Sequence, residues 1–308
     1  MQEFEWEKDF LNSVPSFEKA GLEKAKAVSL LNEYIQLSKN LPIPPILDFS
    51  HKENLELSPY LARDEKIHGL MLDILGPLLQ NFDLEGKENF INIIPFLQTT
   101  GVTIVSNHLS HFDSAVLYAL LYREEEFREI ASKMFFLAGR LVFLSSFSNV
   151  AARMFNATMV ASPRDLEENQ NLKKELTRLN IRSFKEAKAR QKNGEILILF
   201  PEGTRSRTGE MGKFHSAVLN YLENTIVLPA SLIGPETILQ SESFTFGFTK
   251  GKMVIGEPLF VGARKVCPLR INGIFPEEIT NDNKKQAIMD ELGKKVALNL
   301  PNEMKGNY

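Results

Sequence analysis

The spacing of apolar residues changes near position 80. Before it they recur every three or four positions. Leu22, Ala25, Leu30, Leu31, Tyr34, Ile35 and Leu37 fall on one helical stripe, and Leu61, Ile67, Leu70, Met71, Ile74, Leu75 and Leu78 on another. The spacing predicts helices over 17–39 and 61–78. Leu41-Pro42-Ile43-Pro44-Pro45 stops the first, because proline cannot continue a helix and disfavours one just before itself. Ser58-Pro59 reads as an N-cap with proline at the first helical position of the second. No strong strand run occurs in this stretch, so residues 1–80 read as a small N-terminal helical domain.

Beyond residue 81, short apolar runs alternate with helical periods. Runs at 82–84, 102–105, 134–138, 157–161, 196–200 and 225–232 read as strands. Two more, 244–248 and 252–255, read as a hairpin turning at Thr249-Lys250-Gly251. Helices are predicted over 87–98, 114–122, 171–192, 216–223 and 283–298. Asn193-Gly194 supplies a left-handed stop for the third of these. Alternation of this kind predicts an α/β domain over 81–308, a mostly parallel sheet flanked by helices. Met134 to Phe155 comes nearest to a membrane-spanning segment, which needs roughly 18 or more apolar residues in a row. Arg140, Ser145, Ser146, Ser148, Asn149 and Arg153 interrupt it. Its aromatics (Phe135, Phe136, Phe143, Phe147, Phe155) read as core, or as a surface dipping into a lipid interface.

Charge and cysteine usage narrow the class. The chain has 308 residues, 43% hydrophobic and 24% charged, with a formal charge of −3. That balance argues against a general nucleic-acid binder, whose affinity rests on an excess of Lys and Arg. Cys267 is the single cysteine, so no internal disulfide forms, which fits a reducing compartment. Met1-Gln2-Glu3-Phe4-Glu5-Trp6-Glu7 is acidic and lacks the apolar centre of a secretory signal. The expected location is cytoplasmic, peripheral at a membrane surface.

Two strand ends carry chemistry. Val102-Thr103-Ile104-Val105 leads into Asn107-His108-Leu109-Ser110-His111-Phe112-Asp113. A neutral imidazole takes a proton from an alcohol as the alcohol attacks a carbonyl, and a carboxylate on its other nitrogen fixes the tautomer. Five-residue spacing suits a histidine at a strand end and an acid in the first helical turn, where the helix dipole favours Asp113. The plainer reading makes Asp113 a capping acid and His108 a loop residue; His108, His111 and Asp113 also admit a metal triad, with no other clustered His or Cys in support. The second strand, Glu195-Ile196-Leu197-Ile198-Leu199, ends in Phe200-Pro201-Glu202-Gly203-Thr204-Arg205-Ser206-Arg207-Thr208. Gly203 permits a tight turn. Arg205 can grip a phosphate bidentately. Glu202 can orient that arginine or accept from a hydroxyl. Ligands in α/β folds sit at the carboxyl ends of strands, which weakens the alternative of a solvated surface turn. There is no Gly-x-Ser-x-Gly elbow and no Gly-x-Gly-x-x-Gly turn.

Asn107-His108-x-Ser110-x-x-Asp113 and Phe200-Pro201-Glu202-Gly203-Thr204-Arg205-Ser206 resemble two motif blocks of the glycerolipid acyltransferase family, which includes the 1-acylglycerol-3-phosphate and glycerol-3-phosphate acyltransferases. Arg164, closing the 158–161 strand, sits where another block ends in an arginine. Val227-Leu228-Pro229 and Gly256-Glu257-Pro258 match later blocks in order, so the resemblance spans roughly 81–265. The chain departs from the family after residue 213, with Phe214-His215-Ser216-Ala217 where Phe-Lys-x-Gly is common. The resemblance implies the glycerolipid acyltransferase fold and transfer of a fatty acyl group from acyl-CoA or acyl carrier protein to glycerol-3-phosphate or its 1-acyl form, in phospholipid biosynthesis. His108 would be the base and Asp113 its brace. Glu202, Gly203, Thr204, Arg205 and Arg207, with Arg164, would bind substrate. This chemistry needs no metal or bound cofactor. The implied partners are a phosphorylated glycerol or lysophospholipid, the donor thioester and a membrane surface. Two alternatives are the same chemistry on another lipid acceptor, and a non-catalytic acyl- or lipid-binding protein.

Overall fold

The computed structural model describes residues 5–239, 244–268, 271–280 and 283–308. The first four residues of the acidic N-terminal stretch lie outside them. Among the described residues, ten strands form one sheet: β1 (Tyr60–Leu61), β2 (Phe82–Glu85), β3 (Val102–Ser106), β4 (Met134–Gly139), β5 (Asn156–Val160), β6 (Ile196–Leu199), β7 (Thr225–Ile233), β8 (Gly251–Ile255), β9 (Leu259–Val261) and β10 (Asn272–Ile274). The order is β1-β5-β4-β6-β3-β7-β8-β2, with β9 on β7 and β10 on β9. From β5 to β7 every pairing is parallel. The antiparallel pairs are β1 with β5 and β7 with β8 and β9. The expected α/β class, with helices flanking a mostly parallel sheet, is what the chain adopts.

The central strands are buried on both faces, which is why they read as unbroken apolar runs. Side chains still alternate between faces. Ile104, Ile196, Ile198, Ile226 and Leu228 pack into a large core with the N-terminal helices and helix Asp113–Tyr122. Val105, Leu199 and Val227 point the other way, against helix Lys284–Ala297. On that second face Gln191, from helix Lys173–Lys192, donates to Thr103 Oγ1 at 2.8 Å.

Four local expectations change. The 17–39 helix is two helices, Val14–Lys19 and Lys24–Asn40, because the chain turns at Gly21 with φ +82°, a conformation glycine tolerates. The second N-terminal helix is capped by Asp64, not Ser58. The Asp64 carboxylate accepts from the N–H groups of Lys66 (2.9 Å) and Ile67 (3.0 Å), and the helix runs Glu65–Leu78. Ser58-Pro59 instead introduces β1, a strand no apolar run announced. Residues 244–248 form no strand. Phe244 has φ +49°, and Phe246 makes one bridge to Leu239 while its N–H bonds Ser13 Oγ at 2.8 Å. The hairpin turn expected at 249–251 therefore joins no pair, and β8 pairs with β7 and β2 instead.

The aromatics of 134–155 are core: Phe135, Phe136, Phe143, Phe147 and Phe155 are all buried. Phe147 lies at the centre of an aromatic cluster. Trp6 (4.9 Å between ring centroids), Phe10 (5.5 Å), Tyr34 (5.3 Å) and Phe112 (5.9 Å) surround it. Through Phe147 the N-terminal helices share this cluster with Phe112, the residue that precedes Asp113. Among the described residues, no helix is long and apolar enough to cross a membrane.

Candidate active site

β3 and β6 are parallel neighbours in register, Val102 opposite Ile196 and Val105 opposite Leu199. Their continuations, Asn107-His108 and Phe200-Pro201-Glu202, therefore emerge side by side at the carboxyl edge of the sheet. Backbone and side chains then join them. Ser206 N–H donates to the His108 carbonyl at 2.8 Å, and Glu202 Oε1 accepts from His108 N–H at 2.7 Å. The Phe200 ring stacks on the imidazole, centroids 4.6 Å apart and planes 25° apart.

The His108 side chain, 22% exposed, meets a fully buried Asp113 with Nδ1 to Oδ2 at 2.7 Å. The loop between them is wound so that Leu109 N–H (2.5 Å) and Ser110 N–H (2.9 Å) also donate to Oδ2. Ser110 Oγ accepts from Phe112 N–H at 3.1 Å, which shapes the turn into the helix. With Nδ1 engaged by the carboxylate, Nε2 is the nitrogen left for substrate. Asn107 is buried and ties this loop to β7: it donates to Leu232 O (2.9 Å) and accepts from Leu232 N–H (2.8 Å).

Glu202 is buried, 3% exposed, and spends both oxygens on backbone. Oε2 accepts from Gly212 N–H at 2.7 Å, so Glu202 spans the loop that carries the arginines. A Cβ at 212 would stand 2.8 Å from Oε2, so the approach needs glycine. Burial raises the Glu202 carboxyl to about 7; the bonds from Gly212 and His108 and the proximity of His108 oppose the rise, and Asp113 adds to it. Gly203 turns with φ +69°. Arg205 is half-buried, within electrostatic reach of Asp113 and Arg207. Burial lowers its pKa, Asp113 opposes that and Arg207 reinforces it. His111 lies close to Arg205 and His108. Although part of its ring is exposed, burial of the remainder, with those two neighbours, lowers it to about 4, leaving it neutral near pH 7.

Two cavities meet at His108. One, of about 390 Å³, runs between Leu137, Ala161, Leu166, Asn180, His215 and Tyr221. The other, of about 120 Å³, is lined by Phe112, Phe136, Val142, Ala151 and Phe155, with His111 at its edge. His108, Leu137, Gly139 and Phe200 line both. A proton acceptor at the junction of two largely apolar cavities, with a guanidinium nearby, is suited to an acyl chain and an anionic alcohol.

Residues 81–233 match the acyltransferase family. This chain belongs to the acyltransferase family. Among solved structures, the acyltransferase is similar to the 1-acyl-sn-glycerophosphate (LPA) acyltransferase PlsC from Thermotoga maritima. Identity is 22%, over 74% of this chain and 75% of that one, with a TM-score of 0.45. No curated protein matches it.

Within the acyltransferase, the structure brings His108, Asp113, Glu202 and Arg205 together. Thr204 and Arg207 are exposed on the same loop. Arg164 is 70% exposed and pairs with Glu168 at 2.7 Å on helix Pro163–Glu168, whose Pro163 and Leu166 line the larger cavity. The buried pair of this region is one residue away. Arg140 holds Asp165 through Nε–Oδ2 (2.8 Å) and Nη2–Oδ1 (2.6 Å). Sequence reasoning gave no role to Asn107, Phe200, Gly212 or His215. Asn107 and Phe200 open the two motif blocks, Gly212 follows the second, and His215 occupies the lysine position of the usual Phe-Lys-x-Gly.

Proposed function

We propose that the acyltransferase moves a fatty acyl group from acyl-CoA or acyl carrier protein to a hydroxyl of glycerol-3-phosphate or 1-acylglycerol-3-phosphate. The observation that carries this reading is the His108–Asp113 pair at the junction of two largely apolar cavities, with Arg205 within electrostatic reach of Asp113. His108 Nε2 takes the hydroxyl proton as the oxygen attacks the thioester carbonyl. Asp113 holds the ring and stabilises the imidazolium. The tetrahedral intermediate then expels the thiolate, which takes the proton back from the imidazolium. The acceptor oxygen is itself the nucleophile, so no covalent acyl-enzyme forms. Arg205, with Arg207, holds the acceptor phosphate. Glu202 acts by fixing the loop that carries both, and the Phe136–Phe155 cavity receives the start of the acyl chain. Leu141 (42% exposed) and Leu144 (37% exposed) stand on the helix whose Val142 lines that cavity, an apolar rim suited to a lipid surface.

The test is product identification. Purified protein is incubated with a labelled acyl donor and either acceptor, and the lipid is analysed. Acylated product with one acceptor supports the reading and names the acceptor; absence of thiol release with both donors and both acceptors overturns it and favours the binding-protein alternative. Arg205→Ala should raise the KM for the phosphate acceptor with a smaller effect on the donor. An unchanged acceptor KM would remove Arg205 from phosphate binding.

A further inference from the structure

The two oxygens of Asp113 are treated unequally. Oδ2 accepts three N–H groups, whereas Oδ1, on a side chain with no solvent exposure, has no hydrogen-bond partner. A buried carboxylate oxygen without a donor bears its desolvation cost uncompensated. A second carboxyl is in the same condition: Glu236 Oε2 is buried and lacks a hydrogen-bond partner. Glu236 lies in the single turn Pro235–Thr237, which follows β7 through Gly234 (φ +88°) and packs on the helix that Asp113 begins. Asn107 fixes the end of β7 there through its two bonds to Leu232. The two carboxyls are within electrostatic reach of each other, so when both are ionised they repel; a single shared proton would remove the repulsion and supply both bare oxygens.

We propose that Glu236 is a positioning residue whose protonated carboxyl donates from Oε2 to Asp113 Oδ1, locking the carboxylate whose other oxygen holds His108. The inference rests on His108 being the base. Its environment favours the neutral acid: burial raises the Glu236 pKa, its own backbone N–H works against this, and Asp113 adds to it. Among the described residues, no oppositely charged group stabilises its ionised form. β7 carries no titratable side chain, and Lys252 of β8, opposite Ile233, is paired with Glu85 at 3.3 Å. Asp113 is also within electrostatic reach of Glu202 and Arg205. The Glu236 proton does not enter the reaction. It restrains Asp113 while charge develops on the imidazole.

The test compares Glu236→Gln and Glu236→Ala with the wild type, reading kcat against pH and the low-field His108 Nδ1–H proton resonance. Gln retains an N–H donor. It should keep kcat close to wild type and lack the fall with rising pH expected of wild type as Glu236 ionises. Ala should lose about 10- to 100-fold in kcat, as is typical when the partner orienting a functional side chain is removed, and should weaken or broaden the resonance. Wild-type kcat and pH profile in Glu236→Ala would overturn the proposal, as would Glu236→Gln being as impaired as Ala. Circular dichroism checks that Ala folds; if it does not, the Gln pH profile decides. A wild-type protein that transfers no acyl group sinks the functional reading, while the proton resonance in the three proteins still decides the role of Glu236.

Discussion

At the scale of single residues, the site depends on one imidazole held at Nδ1 and open at Nε2. His108→Ala should lower kcat by roughly 10²–10⁴-fold, the usual contribution of a general base, with an unchanged circular dichroism spectrum. A variant retaining most of its turnover would remove the assignment. Glu202 gives a prediction about stability. Its carboxyl rises from an ordinary 4.5 to about 7 on folding. The folded chain therefore binds an extra proton between those values, and stability falls as pH rises through them. The penalty is absent below about pH 4.5 and complete above about pH 7, on the order of 3 kcal/mol. Glu202→Gln should be less stable at acid pH, since an amide cannot accept from both His108 and Gly212. It should also lose this part of the pH dependence. Urea midpoints from about pH 5 to pH 8 check both; a wild-type–variant gap constant across that range would contradict the shift.

At the scale of elements, the strands that build the site were the legible part of the sequence. β3 and β6 are short apolar runs that end in polar motifs, and two parallel neighbours in register bring their next residues together without further instruction. Side-chain facing on short helices was not legible. Arg164 and Asp165 are adjacent at the start of one helix, yet Arg164 points to solvent while Asp165 is buried against Arg140, 25 residues earlier. No periodicity shows over a six-residue helix which of two neighbours turns inward. β1 was hidden for a similar reason: two residues make no pattern, and its existence follows from the free edge of β5. The Arg140–Asp165 pair joins the segments that follow β4 and β5. Asp165→Ala strands a buried guanidinium and should cost about 3–5 kcal/mol. The double variant Arg140→Met/Asp165→Leu should regain much of that loss, as denaturant titration would show. A single variant within experimental error of wild type would mean that the pair is not buried in solution.

At the scale of the whole molecule, the N-terminal helices share a core with the sheet. Trp6, the sole tryptophan, is 8% exposed in the cluster around Phe147, so its fluorescence reports on their docking. Denaturation followed by tryptophan emission and by far-ultraviolet circular dichroism should give coincident curves, the mark of one cooperative unit. An earlier fluorescence transition would show that the helices detach first. Deleting residues 1–63 should give an aggregating protein. It would leave Phe147 and Phe246 bare, and it would strip β1 from the edge of β5.

His108 is bracketed by a loop that lies 94 residues further along the chain: Glu202 grips its N–H, and Ser206 grips its carbonyl. Whatever tugs on Arg205 is transmitted to the peptide unit that carries the imidazole. In the proposed reaction, capture of the acceptor and removal of its proton would be worked by a single lever, and any drift in the 203–212 turn that retunes which alcohol is held should register as a change in turnover.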